Sequence, residues 1–271
     1  MLERSPGHES TNPSKEFVRS VDKAFAIVRA FGRDSPSLTL SQVAARTGLT
    51  RASARRFLLT LEVLGYVGSD GRQFFLRPKV LDLGFAYLSS VPVFEIVGAR
   101  MEAMVQDLQE SSSASVLDGT DIVYTVRVPT KRIMSIQIAV GTRVPAYATA
   151  MGRVLLAAQR LDQLDTYFRQ AQIRQLTPRA LTNEERLRLV LDKVREQGWC
   201  MLDEELEVGV RSVAVPLHDA AGSVFAAMSI STNATRVTAE CLLGTHLPVL
   251  RETAATIDNE IRLLRLKNLA N

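Results

Sequence analysis

Apolar side chains between residues 17 and 33 fall at Val21, Ala24, Phe25, Val28 and Phe31. That is the i, i+3, i+4, i+7, i+10 stripe of an amphipathic helix. Gly32 and the Ser35-Pro36 pair stop it. Leu38 to Leu40 is a short extended stretch. Thr39 then supplies an N-cap, and Gln42 completes a capping box. Leu40, Val43 and Ala44 form the buried side of this short helix, which Gly48 ends. Thr50 caps a second helix that runs to about Leu64. Its apolar side is Ala54, Phe57, Leu58, Leu61 and Leu64. Its opposite side is Arg51, Ala52, Arg55 and Arg56, with Thr60 nearby. Gly65 follows as terminator. Tyr66 to Leu76 then reads as a hairpin turned at Asp70-Gly71.

The pattern changes after Pro78. Residues 79–90 form a short apolar helix or linker, broken at Pro92. Ile96, Val97, Met101, Met104 and Leu108 line one side of a helix over 93–110. Strand-like runs follow at Ala114–Leu117, Ile122–Val128 and Ile133–Val140. A loop at Gly141 and Pro145 leads to a helix over Gly152–Ala158. Helices over Leu161–Gln170 and Thr182–Gln197 come next, the latter with Thr182 and Glu185 as a capping box. Val213–Leu217 and Val224–Ser231 are strands around a turn at Ala221-Gly222, and Thr238 caps a long helix reaching about Leu266. At 271 residues the chain is long for one core, and two domains are expected.

Charge sharpens the division. Residues 1–79 hold 13 Lys+Arg against 7 Asp+Glu, and the rest hold 20 against 22. The basic excess therefore sits in the first third, where it suits a polyanion. No apolar run approaches the ~20 residues that cross a bilayer, so no membrane partner is expected. The polar start MLERSPGHESTNPSKE lacks a signal core and reads as a disordered leader. Cys200 and Cys241 are taken as free thiols of a cytoplasmic protein. His8, His218 and His246 are scattered, with no Cys or carboxylate at ligand spacing, so neither metal nor cofactor is expected.

Two short helices joined across Thr47-Gly48-Leu49 make a helix-turn-helix, whose second helix reads the major groove. Arg51, Arg55 and Arg56 share a face, and arginine forks onto guanine O6 and N7 or clamps a phosphate. Thr50 and Ser53 are short donors for phosphates at the helix start. The hairpin is the wing, with Arg72 at its tip.

From about Phe17 onward the chain resembles the IclR family of bacterial regulators. LTLSQVAARTGLTRASARRFLLTLEVLGYV (38–67), GTRVPAYATAMGRVLLA (141–157) and GWCMLDEELEVGVRSVAVPLHDAAGSVFAAMSIS (198–231) carry the likeness. Within the family, PKVLDLGFAYLSS (78–90), PAYATAMGRVLLA and QGWCMLDEELE look closest to the Pca/Pob-type group, which regulates aromatic-acid catabolism through the β-ketoadipate pathway. The resemblance implies an α+β protein. A disordered leader (1–15) precedes a winged helix-turn-helix (16–77) and a linker helix (78–92). Residues 93–271 then form a GAF- and profilin-like effector and oligomerisation domain with a curved antiparallel sheet.

It also implies a homodimer, or a dimer of dimers, on a double-stranded operator. The effector is a small organic acid such as protocatechuate, 4-hydroxybenzoate or a β-ketoadipate-like acid. Carried over by position, Ala150 and Met151 offer helix-start amides, and Ser212, Ser229 and Ser231 offer hydroxyls, a cradle for a carboxylate. Leu202, with Asp203 following, stands where some members carry an acid, which suits a larger and less polar ligand. Tyr147 and Met151 are candidates to pack on a ring. Arg143, Arg153 and Arg211 are candidates to pair with a carboxylate. Two alternatives stay open: a small-acid hydrolase or lyase with an accessory DNA-binding module, motivated by Asp203-Glu204-Glu205 and Cys200, and a sensor and interaction module that no longer binds DNA.

Overall fold

The computed structural model describes residues 16–130 and 138–269, with side chains to Leu264. The expected leader over 1–15, His8 and most of the strand expected over Ile133–Val140 lie outside the described residues. The chain divides into two compact units, one ending at Tyr87 and the other beginning at Leu88.

The first unit runs α1 (Arg19–Ala30), β1 (Ser37–Leu38), α2 (Leu40–Thr47), α3 (Arg51–Val63), β2 (Val67–Ser69) and β3 (Phe74–Leu76). The strands form a small antiparallel sheet in the order β1-β3-β2. Both expected caps are present. The Thr39 hydroxyl accepts from the Gln42 amide in a reciprocal box, and the Thr50 hydroxyl accepts from the Ser53 amide at 3.2 Å. Gly48 closes α2 with φ 66°, a left-handed conformation that favours glycine. Ile27, Ala30 and Phe31 pack with Leu38, Val43, Ala44, Ala54, Leu58, Leu61 and Val67.

The expected stripe of α1 needs correction. Val21 and Phe25 are 52% and 45% exposed, and the buried line is Ile27, Ala30 and Phe31. This helix is apolar on two sides, and periodicity does not say which side meets the core. Leu64 is also exposed, because it sits just past the last turn of α3. After a 3-10 turn at Pro78–Val80 comes α4 (Leu81–Ser89), which buries no residue.

The second unit contains α5 (Val93–Leu108), β4 (Ser111–Asp118), β5 (Asp121–Val128), β6 (Arg143–Pro145), α6 (Ala150–Ala157), α7 (Leu161–Gln170) and α8 (Glu184–Gln197). It continues with β7 (Cys200–Asp203), β8 (Val210–His218), β9 (Val224–Asn233), α9 (Ala239–Cys241) and α10 (Leu247–Leu269). The curled sheet is antiparallel throughout, ordered β6-β5-β4-β9-β8-β7. Strand alternation splits its side chains between two cores. Val213, Val215, Leu217, Met228 and Ile230 meet α5 and α10, while Ile122, Tyr124, Ala214 and Ala227 meet α6, α7 and α8.

Two boundaries differ from the sequence reading. The cap of α8 is Asn183, whose side chain accepts from the Arg186 amide at 2.9 Å, not Thr182. Thr238 caps the final helical stretch as expected, but the chain passes through a π-helical turn at Leu242–His246 before α10. The short edge strands β6 and β7 carry too few residues to show a period.

Candidate functional site

In the first unit the side of α3 away from the core carries Arg51, Ala52, Arg55, Arg56 and Thr60, all exposed, with Ser53 half-buried. Ala54, Leu58 and Leu61 hold the opposite side in the core. A 13-residue helix is ~20 Å long, enough to lie along a major groove. None of Arg51, Arg55 and Arg56 forms an ion pair with a carboxylate among the described residues. Among the described residues of the second unit, by contrast, nine arginines sit against carboxylates. Lys23 of α1, which the sequence reading passed over, joins Ser53, Arg56 and Thr60 around one groove. At the wing the Asp70 carboxylate accepts from the amides of Gln73 (2.7 Å) and Arg72 (2.9 Å). Those backbone hydrogen bonds hold it below the usual carboxylate range. They fix the turn that leaves Arg72 exposed at the tip.

In the second unit a cavity opens between the sheet and the start of α6. Thr149 caps that helix, its hydroxyl accepting from the Gly152 amide at 2.9 Å. The first amides of a helix have no partner within it, and those of Ala150 and Met151 belong to residues that line the cavity. Across the sheet, Arg127 stands opposite Ser113, and Ser113 opposite Ser229. In the next row Ser231 faces Ser212, and Ser212 faces Leu202. Tyr124, Ile138 and Leu206 add apolar surface, and burial pushes the Tyr124 phenol up to about 12, so it stays protonated.

Among the described residues, two charged groups line this cavity, and they differ in kind. Glu205 is gripped on both oxygens by the buried Arg153, at 2.9 and 2.6 Å, and also accepts from the Leu181 amide at 2.9 Å. Arg127 is half-buried and donates to the Ser113 hydroxyl at 3.1 Å. No carboxylate pairs with it among the described residues. Burial lowers its pKa from the ordinary guanidinium value, yet arginine remains a cation near neutral pH.

Arg127 was absent from the sequence reading for a clear reason. In a regular strand, residues three apart point to opposite faces. Here Ala114 pairs with Val126 while Ser115 pairs with Tyr124, leaving Thr125 as an extra residue in β5. This β-bulge resets the alternation, so Tyr124 and Arg127 share the cavity face.

Six of the expected ligand residues come together there: Ala150, Met151, Leu202, Ser212, Ser229 and Ser231. Five do not line the cavity. Arg143, on the edge strand β6, pairs with Asp118 at 2.5 Å and Asp121 at 3.3 Å. Tyr147 lies in the layer below, where its hydroxyl donates to the Arg174 carbonyl and accepts from the Arg174 amide, each at 2.9 Å. Leu202 and Ser212 face the cavity, so their neighbours Asp203 and Arg211 take the other side by alternation. There the two pair at 2.7 Å. Arg153 does not line this cavity either, and Glu205 neutralises it.

Residues 20–71 match the IclR helix-turn-helix domain, and residues 85–259 match the bacterial transcriptional regulator IclR C-terminal domain. The chain belongs to the IclR family of transcriptional regulators. It is 43% identical to the Pca regulon regulatory protein of Pseudomonas putida, over 87% of this chain and 81% of that protein. It is 32% identical to the p-hydroxybenzoate hydroxylase transcriptional activator of Acinetobacter baylyi, over 93% of each. A Rhodococcus sp. RHA1 protein of known structure is 46% identical, with a TM-score of 0.82, covering 92% of this chain and 100% of that one. The inducer-binding domain of a PobR transcription factor from Acinetobacter, a double mutant solved with 3-hydroxybenzoic acid, is 29% identical with a TM-score of 0.57. It covers 62% of this chain and 96% of that one.

As an IclR regulator the chain binds DNA through its helix-turn-helix and is not an enzyme. The hydrolase or lyase reading loses its residues as well. Asp203 pairs with Arg179 and Arg211, Glu204 with Arg179, and Glu205 with Arg153. The Cys200 thiol is buried and pushed up to about 12, which makes it a poor nucleophile.

Proposed function

We propose that this IclR regulator controls genes of aromatic-acid breakdown and responds to a small organic acid seated in the cavity of its second unit. One observation carries the reading. A single cavity joins a guanidinium with no carboxylate partner among the described residues, three serine hydroxyls and helix-start amides to a wall of Met151, Leu202, Leu206 and Ile138. Hydroxybenzoates and protocatechuate carry the matching groups, a carboxylate and phenols on an apolar ring, and β-ketoadipate-like acids share the carboxylates. The relatives' names, tied to p-hydroxybenzoate hydroxylase and to 3-hydroxybenzoic acid, support the aromatic class.

On the DNA side, Arg51, Arg55 and Arg56 reach bases or phosphates, Thr50, Ser53 and Thr60 reach phosphates, Ala52 lies against base edges, and Arg72 touches the backbone beside the wing. The chain acts as a homodimer or a dimer of dimers in the cytoplasm, on an operator with two-fold symmetry. Two exposed apolar helix faces support that assembly: Val21 and Phe25 on α1, and Leu81 and Phe85 on α4. The effector biases one of two pre-existing arrangements of the paired readers.

Thermal unfolding of the full chain with protocatechuate, 4-hydroxybenzoate, β-ketoadipate, glyoxylate and pyruvate tests the effector class. A ligand at ~100 times its Kd adds ~2.7 kcal/mol to the folded state. The aromatic acids or β-ketoadipate raise Tm above glyoxylate and pyruvate. Equal silence from all five removes the reading. For the DNA face, the double substitution Arg55→Ala, Arg56→Ala lowers the slope of log affinity against log salt by ~1–2 on operator DNA. An unchanged slope removes those side chains from the interface.

A further inference from the structure

We infer that Arg127 is the carboxylate-selecting residue of this cavity, the group that makes the effector an acid rather than its neutral analogue. The inference rests on the reading of the cavity as the effector site and adds which atom of the protein meets the ligand's charge.

The argument is one of charge compensation. A cation drawn half out of water keeps its full charge but loses solvation, and a folded chain normally answers this with a carboxylate. Elsewhere in this unit the chain does so. Arg153, the other arginine beside this cavity, is 3% exposed and gripped by Glu205. Both oxygens of Glu205 are engaged by Arg153, and one also by the Leu181 amide, so Glu205 is committed away from Arg127. The described partner of Arg127 is a neutral hydroxyl, that of Ser113.

The placement is also specific. The bulge at Thr125 turns Arg127 onto the cavity face with Tyr124, whereas a regular β5 would have sent it to the opposite face, the α5 and α10 side that Val126 and Val128 occupy here. Ser113 and Ser229 continue its row across the sheet. An incoming carboxylate therefore meets a forked donor with hydroxyls beside it, and the pair forms charge-assisted hydrogen bonds. The Glu205–Arg153 pair adds no net charge, so Arg127 sets the sign of the ligand that fits.

The test uses the full-length protein and measures Kd for protocatechuate, 4-hydroxybenzoate and β-ketoadipate, each beside its neutral amide. In Arg127→Gln, the acid that binds the wild type weakens ~10- to 100-fold, the size of a lost charge-assisted contact. The acid-to-amide affinity ratio falls by a similar factor, while the amide itself changes by less than about threefold. A purely structural role would weaken acid and amide together and leave that ratio intact, which overturns the proposal. Arg127→Lys keeps the charge without the fork and retains part of the selectivity. It carries the same ratio test should the glutamine variant fold poorly. Acid binding within twofold of wild type in Arg127→Gln also overturns the proposal, while leaving the cavity as the effector site. If none of the acids binds the wild type, the effector reading itself falls, and this inference with it.

Discussion

Gly152 shows how tightly the cavity floor is built, and replacing it with alanine puts a magnitude on that. A Cβ at this position would lie 2.1 Å from the Ala146 carbonyl oxygen, 2.5 Å from its Cα and 2.6 Å from its carbonyl carbon. Comfortable carbon contacts start near ~3.5 Å, so the overlap approaches ~1 Å. The obstruction is backbone and has no rotamer to change. Ala146 is itself fixed, since its amide donates to the Thr120 carbonyl at 3.0 Å and its oxygen accepts from the Thr149 amide at 3.2 Å.

Relief requires α6 to slide off the turn at residues 146–148, carrying Ala150 and Met151 with it. Overpacking of a tight core costs ~1–3 kcal/mol, and rigid backbone on the receiving side places this case near the top. For a unit of this size each kcal/mol lowers Tm by ~2–4 °C, so Gly152→Ala should melt ~6–12 °C below wild type. The displaced amides also shrink the additional Tm rise given by a bound acid. Differential scanning calorimetry with and without protocatechuate, 4-hydroxybenzoate and β-ketoadipate measures both effects. Wild-type melting with a wild-type ligand shift would refute the claim that this contact positions the helix start.

Two further outcomes follow from burial. Glu205→Gln leaves the 3%-exposed Arg153 without a counter-charge, and urea unfolding should show a loss of ~3–5 kcal/mol. A loss indistinguishable from zero would mean that the pair contributes no more than a neutral amide does. At pH 8 the native protein should take up one equivalent of a thiol reagent, at exposed Cys241, because burial pushes the Cys200 thiol up to about 12. The second equivalent should enter only in denaturant, and rapid double labelling of native protein would contradict the burial of Cys200.

The reader module was largely written in local sequence. Caps at Thr39 and Thr50, the left-handed Gly48, the Asp70-Gly71 turn and the arginines of α3 are each determined within a few residues. Capping, turn chemistry and helical period act over that range. The family resemblance named Ala150, Met151, Ser212, Ser229 and Ser231 as one ligand site, and they line one cavity; the strand period by itself puts only Ser229 and Ser231 on a common face.

What the sequence left open depended on partners far along the chain. The periodicity of α1 offered two apolar sides, and only packing against α2 and α3 chose Ile27 over Val21 and Phe25. Arg143, Arg153 and Arg211 looked equally available for a ligand until Asp118, Glu205 and Asp203 were brought to them by the sheet and its loops. Arg127 stayed hidden because one extra residue, Thr125, reverses the face of every side chain after it. A bulge is set by the pairing of β4 with β5 and not by the composition of either strand.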